Sequence, residues 1–281
     1  MIYDFNIPYP NKSDATELQR IEKILDRLDS FENRSTIALN LTVEGNLSDV
    51  KSIEPVASQK FTNMQQLTRA TLMVEDVKQN YQLAASSAYP NIDILAVRPT
   101  NFDICKHACQ TYEVDLISLD LAKSKALPGF VAAQMAVNRG IFFEVCYSQS
   151  FRDPNKRFLF FNNVKRLVEV TRGHNLIFSS EAMRALDIRR PADLRILGSM
   201  FGMTHDQIEA TVTVNYPRLL KRAETRRLTY NATIALDKSE LFAEAVAKDN
   251  ASSSLQKRKN TDQPQSKRAA KRNKQQQNQN K

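Results

Sequence analysis

Three histidines, His107, His174 and His205, are the only imidazoles in the chain. Imidazole is the commonest metal ligand and the usual acid–base group near neutral pH. Their settings keep them apart: His107 falls inside a helical pattern, His174 just before a strand pattern, and His205 in the first turn of a helix. None falls at the C-terminal end of a strand, where barrel enzymes assemble their active sites, so a histidine metal centre is not expected. The string Cys105-Lys106-His107-Ala108-Cys109 has the look of a metal motif. Its cysteines share one helix face, however, and His107 lies off it. A tetrahedral site needs four ligands, and no second pair is near in sequence, so both thiols read as small core residues. No serine has a histidine beside it to act as base. Asp4, Asp76 and Asp120 have the chemistry to hold Mg2+, which keeps a metal-dependent phosphoesterase as the alternative reading. Capping and loop roles account for them better. With only six glycines, a glycine-rich phosphate loop is not expected either. No metal or cofactor is expected on this chain itself.

The cations are organised differently. Arg152, Lys156, Arg157, Lys165, Arg166 and Arg172 cluster on one helix and the loop leading into it. Arg184, Arg189, Arg190 and Arg195 follow the last strand, and Arg218, Lys221, Arg222, Arg226 and Arg227 form a third group. Guanidinium forks suit bidentate contact with phosphate oxygens. Such contacts bind and position a nucleic acid without reading its sequence.

The elements that would position these groups follow from hydrophobic pattern. Near-continuous apolar runs mark seven strands: Ile2–Ile7, Thr36–Val43, Leu67–Val74, Ile92–Val97, Val114–Leu119, Ile141–Tyr147 and Asn175–Ser179. Runs of this kind fit strands buried on both faces. Helices lie between them. Ser13 or Asp14 opens one with Leu18, Ile21, Leu25 and Leu28 as its stripe. Another runs from Phe102 to Tyr112. Asp153-Pro154 starts a third, with Phe161, Val164, Leu167 and Val168 inward and Arg172-Gly173 as its end. Pro191 opens a helix ending near Gly202, and Thr204 to Gln207 has the form of a capping box for the next. Alternating strands and helices predict a TIM-like (β/α) barrel. An open doubly wound sheet is the competing arrangement, but it lacks the dinucleotide fingerprint. Residues after the strands, Asn6, Thr42, Asp76, Arg98, Asp120, Ser148, Ser179 and Ser180, would form a polar ring at the barrel mouth.

Charge is uneven along the 281 residues. Residues 1–150 carry 14 Lys/Arg and 18 acids, and residues 151–254 carry 17 and 12. The segment 255–281 has nine Lys/Arg against the single Asp262. A barrel domain over 1–235 and a basic tail over 236–281 are expected. The tail has too few apolar residues to offset its ordering entropy and is expected to be disordered. Lys257-Arg258-Lys259, then Lys267, Arg268, Lys271 and Arg272, resemble a two-part nuclear localisation signal. Three cysteines, an odd and low number, fit a reducing compartment. Neither a membrane span nor a secretory signal is expected.

At this point ordered strings become recognisable. They include Asp4-Phe5-Asn6-Ile7-Pro8, Ile37 to Val43, Leu67 to Leu72, Ile94-Leu95-Ala96-Val97-Arg98-Pro99-Thr100 and Val114 to Ser118. Asn138-Arg139-Gly140 through Glu144, Asn175 to Ser180, Leu197-Gly198 and Phe201-Gly202 continue the series. Over roughly residues 1–230 the chain resembles the thirty-kilodalton protein subunit family of ribonuclease P and ribonuclease MRP. The resemblance implies a barrel related to the polymerase-and-histidinol-phosphatase fold, with Asp4 and Asn6 where related phosphatases carry metal-binding histidines. It implies a non-catalytic subunit of an RNA-based endonuclease that removes 5′ leaders from precursor tRNA, and of its sister particle that processes precursor rRNA. The implied partners are the catalytic RNA, precursor tRNA, a small ferredoxin-like subunit and other particle proteins, with Mg2+ on the RNA. With Arg98 and Arg139 from the matched strings, the expected RNA-binding set is Arg98, Arg139, Arg152, Lys156, Arg157, Lys165, Arg172, Arg189 and Arg190. The expected location is the nucleus and nucleolus. One departure is Arg189-Arg190-Pro191, where the family commonly has Arg-Gly-Pro. A third reading, a protein–protein adaptor with a nuclear address, predicts that charge reversal at Arg152, Arg157, Arg189 and Arg190 leaves RNA association untouched.

Overall fold

The structure is a computed structural model. It describes residues 1–234 except 12–13, 32–33, 45–46, 48–49, 51–52, 77–82, 84–85, 87, 124–126 and 231–232. Contacts divide the chain into Met1–Ala232 and Thr233–Lys281. The tail expected over 236–281, with Lys257 to Arg272, lies outside the described residues.

Seven parallel strands lie side by side in sequence order: β1 (Ile2–Pro8), β2 (Ser35–Val43), β3 (Met64–Val74), β4 (Ile94–Pro99), β5 (Leu116–Ser118), β6 (Phe142–Cys146) and β7 (Leu176–Ser179). An unbroken sequential order makes a nearly closed barrel; a doubly wound sheet reverses order part-way. The helices are α1 (Ala15–Asp29), α2 (Phe102–Gln110), α3 (Phe130–Asn138), α4 (Gln149–Arg152), α5 (Arg157–Thr171), α6 (Pro191–Met200), α7 (His205–Glu209) and α8 (Asn215–Leu228). Asp14 caps α1 by accepting from the Thr16 amide at 3.1 Å. Thr204 and Gln207 form the expected capping box on α7. On α5, Phe160 rather than Phe161 is the fully buried aromatic. No helix among the described residues is long and apolar enough to cross a membrane.

Strand alternation sorts residues between two environments. Outward residues such as Leu72, Val97, Ile117, Phe143, Val145 and Phe178 pack with the helices into the main core. Inward residues Phe5, Ala38, Ile94, Ala96, Leu116, Phe142 and Ile177 pack with one another and with Tyr216 and Leu219 of α8. One step further along the same inward faces the residues turn polar: Arg69 and Thr71, Arg98, Ser118, Glu144 and Cys146. The lumen is therefore apolar below and polar towards the strand C-termini. A bulge between Asp4 and Ile7 interrupts alternation in β1. All four residues across it are buried.

Helix α8 ties the lower end and the seam. The Tyr216 ring stacks on Tyr3 of β1 at 4.7 Å, and its hydroxyl donates to the Phe178 carbonyl of β7 at 2.6 Å. The Ser180 amide donates to Asp4 Oδ1 at 3.0 Å. These contacts join the first strand to the last. Arg226, buried, donates to Asp115 and to the carbonyls of Tyr89 and Ile92 at 2.7–2.9 Å. Asp115 also accepts from the Leu95 amide. Arg222 donates to the carbonyls of Arg139 and Val114. The third cationic group of the sequence is thus in part a set of internal clamps. We expect Arg226→Met to lower stability by about 3–5 kcal/mol, because it leaves Asp115 buried without its charge partner. Urea unfolding followed by circular dichroism measures this, and a loss below about 1 kcal/mol would refute the clamp role.

Candidate nucleic-acid interface

The barrel mouth, where an enzyme of this fold would keep its reacting groups, is filled by its own side chains. Arg69 of β3 and Glu144 of β6 form a doubly hydrogen-bonded pair at 2.5 and 2.7 Å, both fully buried. Arg69 also donates to the Phe5 carbonyl and Thr71. Asn6 donates to Glu144 and accepts from Asn40, which in turn accepts from Thr71. Burial alone would raise the Glu144 carboxyl; the charge and hydrogen bonds of Arg69 outweigh it and bring it down to about 2. Above this layer, Glu181 receives Arg98 at 2.6 Å, Gln149 at 3.0 Å and Arg152 at 3.3 Å. Arg152 also donates to the Glu181 carbonyl. Glu181 has a left-handed backbone, φ 51°, and these three side chains hold it there.

This arrangement has little capacity for chemistry. Both mouth carboxylates are neutralised by arginine, and burial pushes the Cys146 thiol well above its usual range. Asp4 is pushed up to about 6, chiefly by desolvation, against hydrogen bonds from Ser180 and Asn6. Asp76 is exposed and Asp120 pairs with Lys123 at 3.1 Å. Among the described residues, no group of three or more His, Cys, Asp or Glu is placed to hold a metal ion. Cys105 and Cys109 are free thiols buried on α2, and a hydrogen bond with Cys109 together with burial pushes the Cys105 thiol well above its usual range.

The expected RNA-binding residues separate into two sets. Arg98 and Arg139 have their terminal guanidinium nitrogens engaged within the protein, while Arg98 Nε is buried with no hydrogen-bond partner among the described residues. Arg98 serves Glu181 and Ser118; Arg139 serves the carbonyls of Cys109 and Tyr112 and the carboxylate of Glu113. Strand-end position made Arg98 look like mouth surface, yet its side chain is only 15% exposed. Arg152 is part of the Glu181 knot. The others lie on the outside. Lys156 is exposed and pairs with Asp153, and Arg157 is exposed with its Nε on the Ser150 carbonyl. Lys165 and Arg166 are exposed on α5. Phe158, on the same helix, is 79% exposed. Arg172, in a left-handed conformation at the end of α5, lies over Phe130. Arg189 stacks on Phe151 at 4.6 Å, and Arg190 on Phe31 at 5.0 Å. Arg190 has φ −73° and ψ 155°, an extended backbone that needs no glycine. Sequence reasoning missed Arg27, which stacks on Phe31 at 4.6 Å, and Arg69, whose one signal was a lone charge within an apolar run.

The family model for RNase P subunit p30 matches residues 1–228. The chain belongs to the RNase P subunit p30 family. It is 30% identical over 240 residues to a probable ribonuclease P protein subunit 3 of Schizosaccharomyces pombe, covering 83% of this chain and 98% of that protein. It is 31% identical over 188 residues to mouse ribonuclease P protein subunit p30, covering 66% of this chain and 69% of the relative. It is 24% identical over 251 residues to ribonuclease P/MRP protein subunit RPP1 of Saccharomyces cerevisiae, covering 83% and 84%. A chain of the cryo-EM structure of archaeal ribonuclease P with mature tRNA shares the fold, with TM-score 0.57 and 15% identity over 84% of this chain and 99% of that one. In this p30-family chain the carboxylates of the mouth network, Glu144 and Glu181, are each ion-paired to arginine.

Two pH effects of opposite sign follow. The folded Glu144 sits below its ordinary 4.5, so its contribution is complete above that value and disappears as pH falls towards 2. The folded Asp4 sits above its ordinary 3.8, so stability is lost as pH rises through 3.8 to about 6. Asp4→Asn is therefore expected to stabilise the protein at pH 7 by on the order of 2–3 kcal/mol, with the gain vanishing below about pH 4. Paired denaturation curves at pH 4 and pH 7 test this; a variant less stable than wild type at pH 7 would reverse the assignment.

Proposed function

We propose that this p30-family chain binds and stabilises the RNA of ribonuclease P, and of ribonuclease MRP, and supplies no reacting group itself. The observation that carries the reading is the division of its arginines. Those at the mouth neutralise the carboxylates a barrel enzyme would use, whereas those on α5 and before α6 lie on the outside, several stacked on aromatic rings. The names of the relatives support the particle assignment, and the S. cerevisiae relative's name joins P and MRP. On this reading the chemistry, removal of 5′ leaders from precursor tRNA and cleavage of precursor rRNA, belongs to the RNA and its Mg2+. A small ferredoxin-like subunit and other particle proteins are the protein partners. The basic residues Lys257, Arg258, Lys259, Lys267, Arg268, Lys271 and Arg272 give a nuclear and nucleolar address. The phosphoesterase alternative draws no support from Asp4, Asp76 and Asp120, which form no ligand group with one another.

The test is salt-dependent binding of the full chain to a ribonuclease P RNA transcript. Reversing Arg157, Lys165 and Arg166 to glutamate is expected to weaken binding about tenfold or more at low salt and to flatten its salt dependence. Binding insensitive to salt and to these changes would remove the reading. Purified, RNA-free protein turning over a phosphodiester with Mn2+ or Mg2+ would restore the alternative.

A further inference from the structure

A groove of about 480 Å3 opens between the end of α1, Phe151 of α4 and the segment 188–197. That lies within the size range of ligand pockets, about 300–1,000 Å3. Among the described residues, three that line it are arginines, Arg27, Arg189 and Arg190, and one, Asp193, is a carboxylate. One Asp193 oxygen is already taken by the Arg190 backbone amide at 3.2 Å. Among the described residues, neither Arg27 nor Arg190 forms a side-chain ion pair. Their guanidinium carbons lie over the Phe31 ring instead, 4.6 and 5.0 Å from its centroid, while Arg189 lies over Phe151 and donates to the Leu186 carbonyl at 2.6 Å. The wall between them is apolar and open to solvent, with Ile196 62% exposed and Leu197 partly buried.

These features answer two demands of one ligand. Flat guanidinium planes and an apolar wall suit the face of an unstacked base. An excess of arginine over carboxylate suits its phosphate. An acidic peptide would satisfy the charge but would leave the apolar wall and the stacking planes without a purpose. We propose that this groove is a nucleotide pocket that takes one splayed-out base and its phosphate from a single-stranded stretch of RNA. The inference rests on the RNA-contact reading above and places a specific site within it. Arg27 and Arg190 both supply guanidinium groups over Phe31.

The experiment uses the full chain and a fluorescent single-stranded oligoadenylate of about eight nucleotides, read by anisotropy. Arg27→Gln combined with Arg190→Gln changes two exposed side chains, and a thermal melt checks the fold. The expected result is about tenfold weaker binding of the oligonucleotide. An abasic chain of the same length should bind wild type no better than the variant binds the oligonucleotide. Adenosine monophosphate should compete at lower concentration than inorganic phosphate. Unchanged oligonucleotide binding in the variant, with transcript binding still salt-sensitive, would overturn the pocket and leave the RNA-contact reading standing. Equal affinity for the abasic chain, or equal competition by inorganic phosphate, would overturn it too, since no base would then be held. Loss of a labelled oligoglutamate with the oligonucleotide unaffected would assign the groove to an acidic protein segment. If wild type bound neither oligonucleotide nor transcript at low salt, the wider reading would fall and this inference with it.

Discussion

Arg69 and Glu144 meet in the middle of the barrel, and the upper lumen is organised around their contact. A guanidinium and a carboxylate removed from water are each costly, and only near-ideal geometry with every remaining donor satisfied offsets that cost. Here Arg69 reaches β1 through the Phe5 carbonyl, its own strand through Thr71, and β6 through both oxygens of Glu144. A slip of one residue in either strand would turn one charge outward into the apolar layer beneath the helices. The pair therefore specifies register as much as it stabilises. It also sets the character of the mouth: with Glu144 held ionised and fully engaged, the neighbouring Asn6, Ser118 and Cys146 become parts of one polar network.

Much of this architecture was legible in the residues. All seven strands were marked by their apolar runs, because strands covered on both faces need apolar residues on both. The capping residues Asp14 and Thr204 were legible because a helix start has chemical requirements that few side chains meet. Helices α3 and α8 were not marked, for opposite reasons. Phe130 to Val137 is apolar almost throughout and shows no stripe, while α8 is so rich in Lys and Arg that its buried Tyr216, Leu219 and Ala223 do not stand out. The cations were legible as clusters but not as individuals. Nothing in the string separates Arg226, buried against Asp115, from Arg227, its exposed neighbour. That distinction depends on residues more than a hundred positions away.

Arginine thus does two kinds of work in one molecule. Inside, at Arg69, Arg98, Arg222 and Arg226, its several donors reach carbonyls and carboxylates that converge from distant parts of the chain. Outside, at Arg27, Arg172, Arg189 and Arg190, it lies on aromatic rings, which restrain the side chain while leaving its edge for an anion. Lysine, a compact ammonium without a plane, serves neither role as well. This explains why arginine predominates after the last strand, and why net charge alone is a poor guide to the binding surface.

The seam between β1 and β7 has a consequence for how the chain comes to be folded. Tyr3 leaves the ribosome long before Tyr216, whose ring stacks on it. Ser180, which donates to Asp4, also emerges late. Until then the free side of β1, whose one ladder is with β2, is left uncovered by these contacts, the kind of edge that pairs with whatever strand is near. Closure must therefore await nearly the whole barrel, a long-range step in the slow class of parallel topologies. The nascent chain spends much of its synthesis as an incomplete cylinder, and helix α8, which reads locally as a charged surface helix, carries the contact that finishes it.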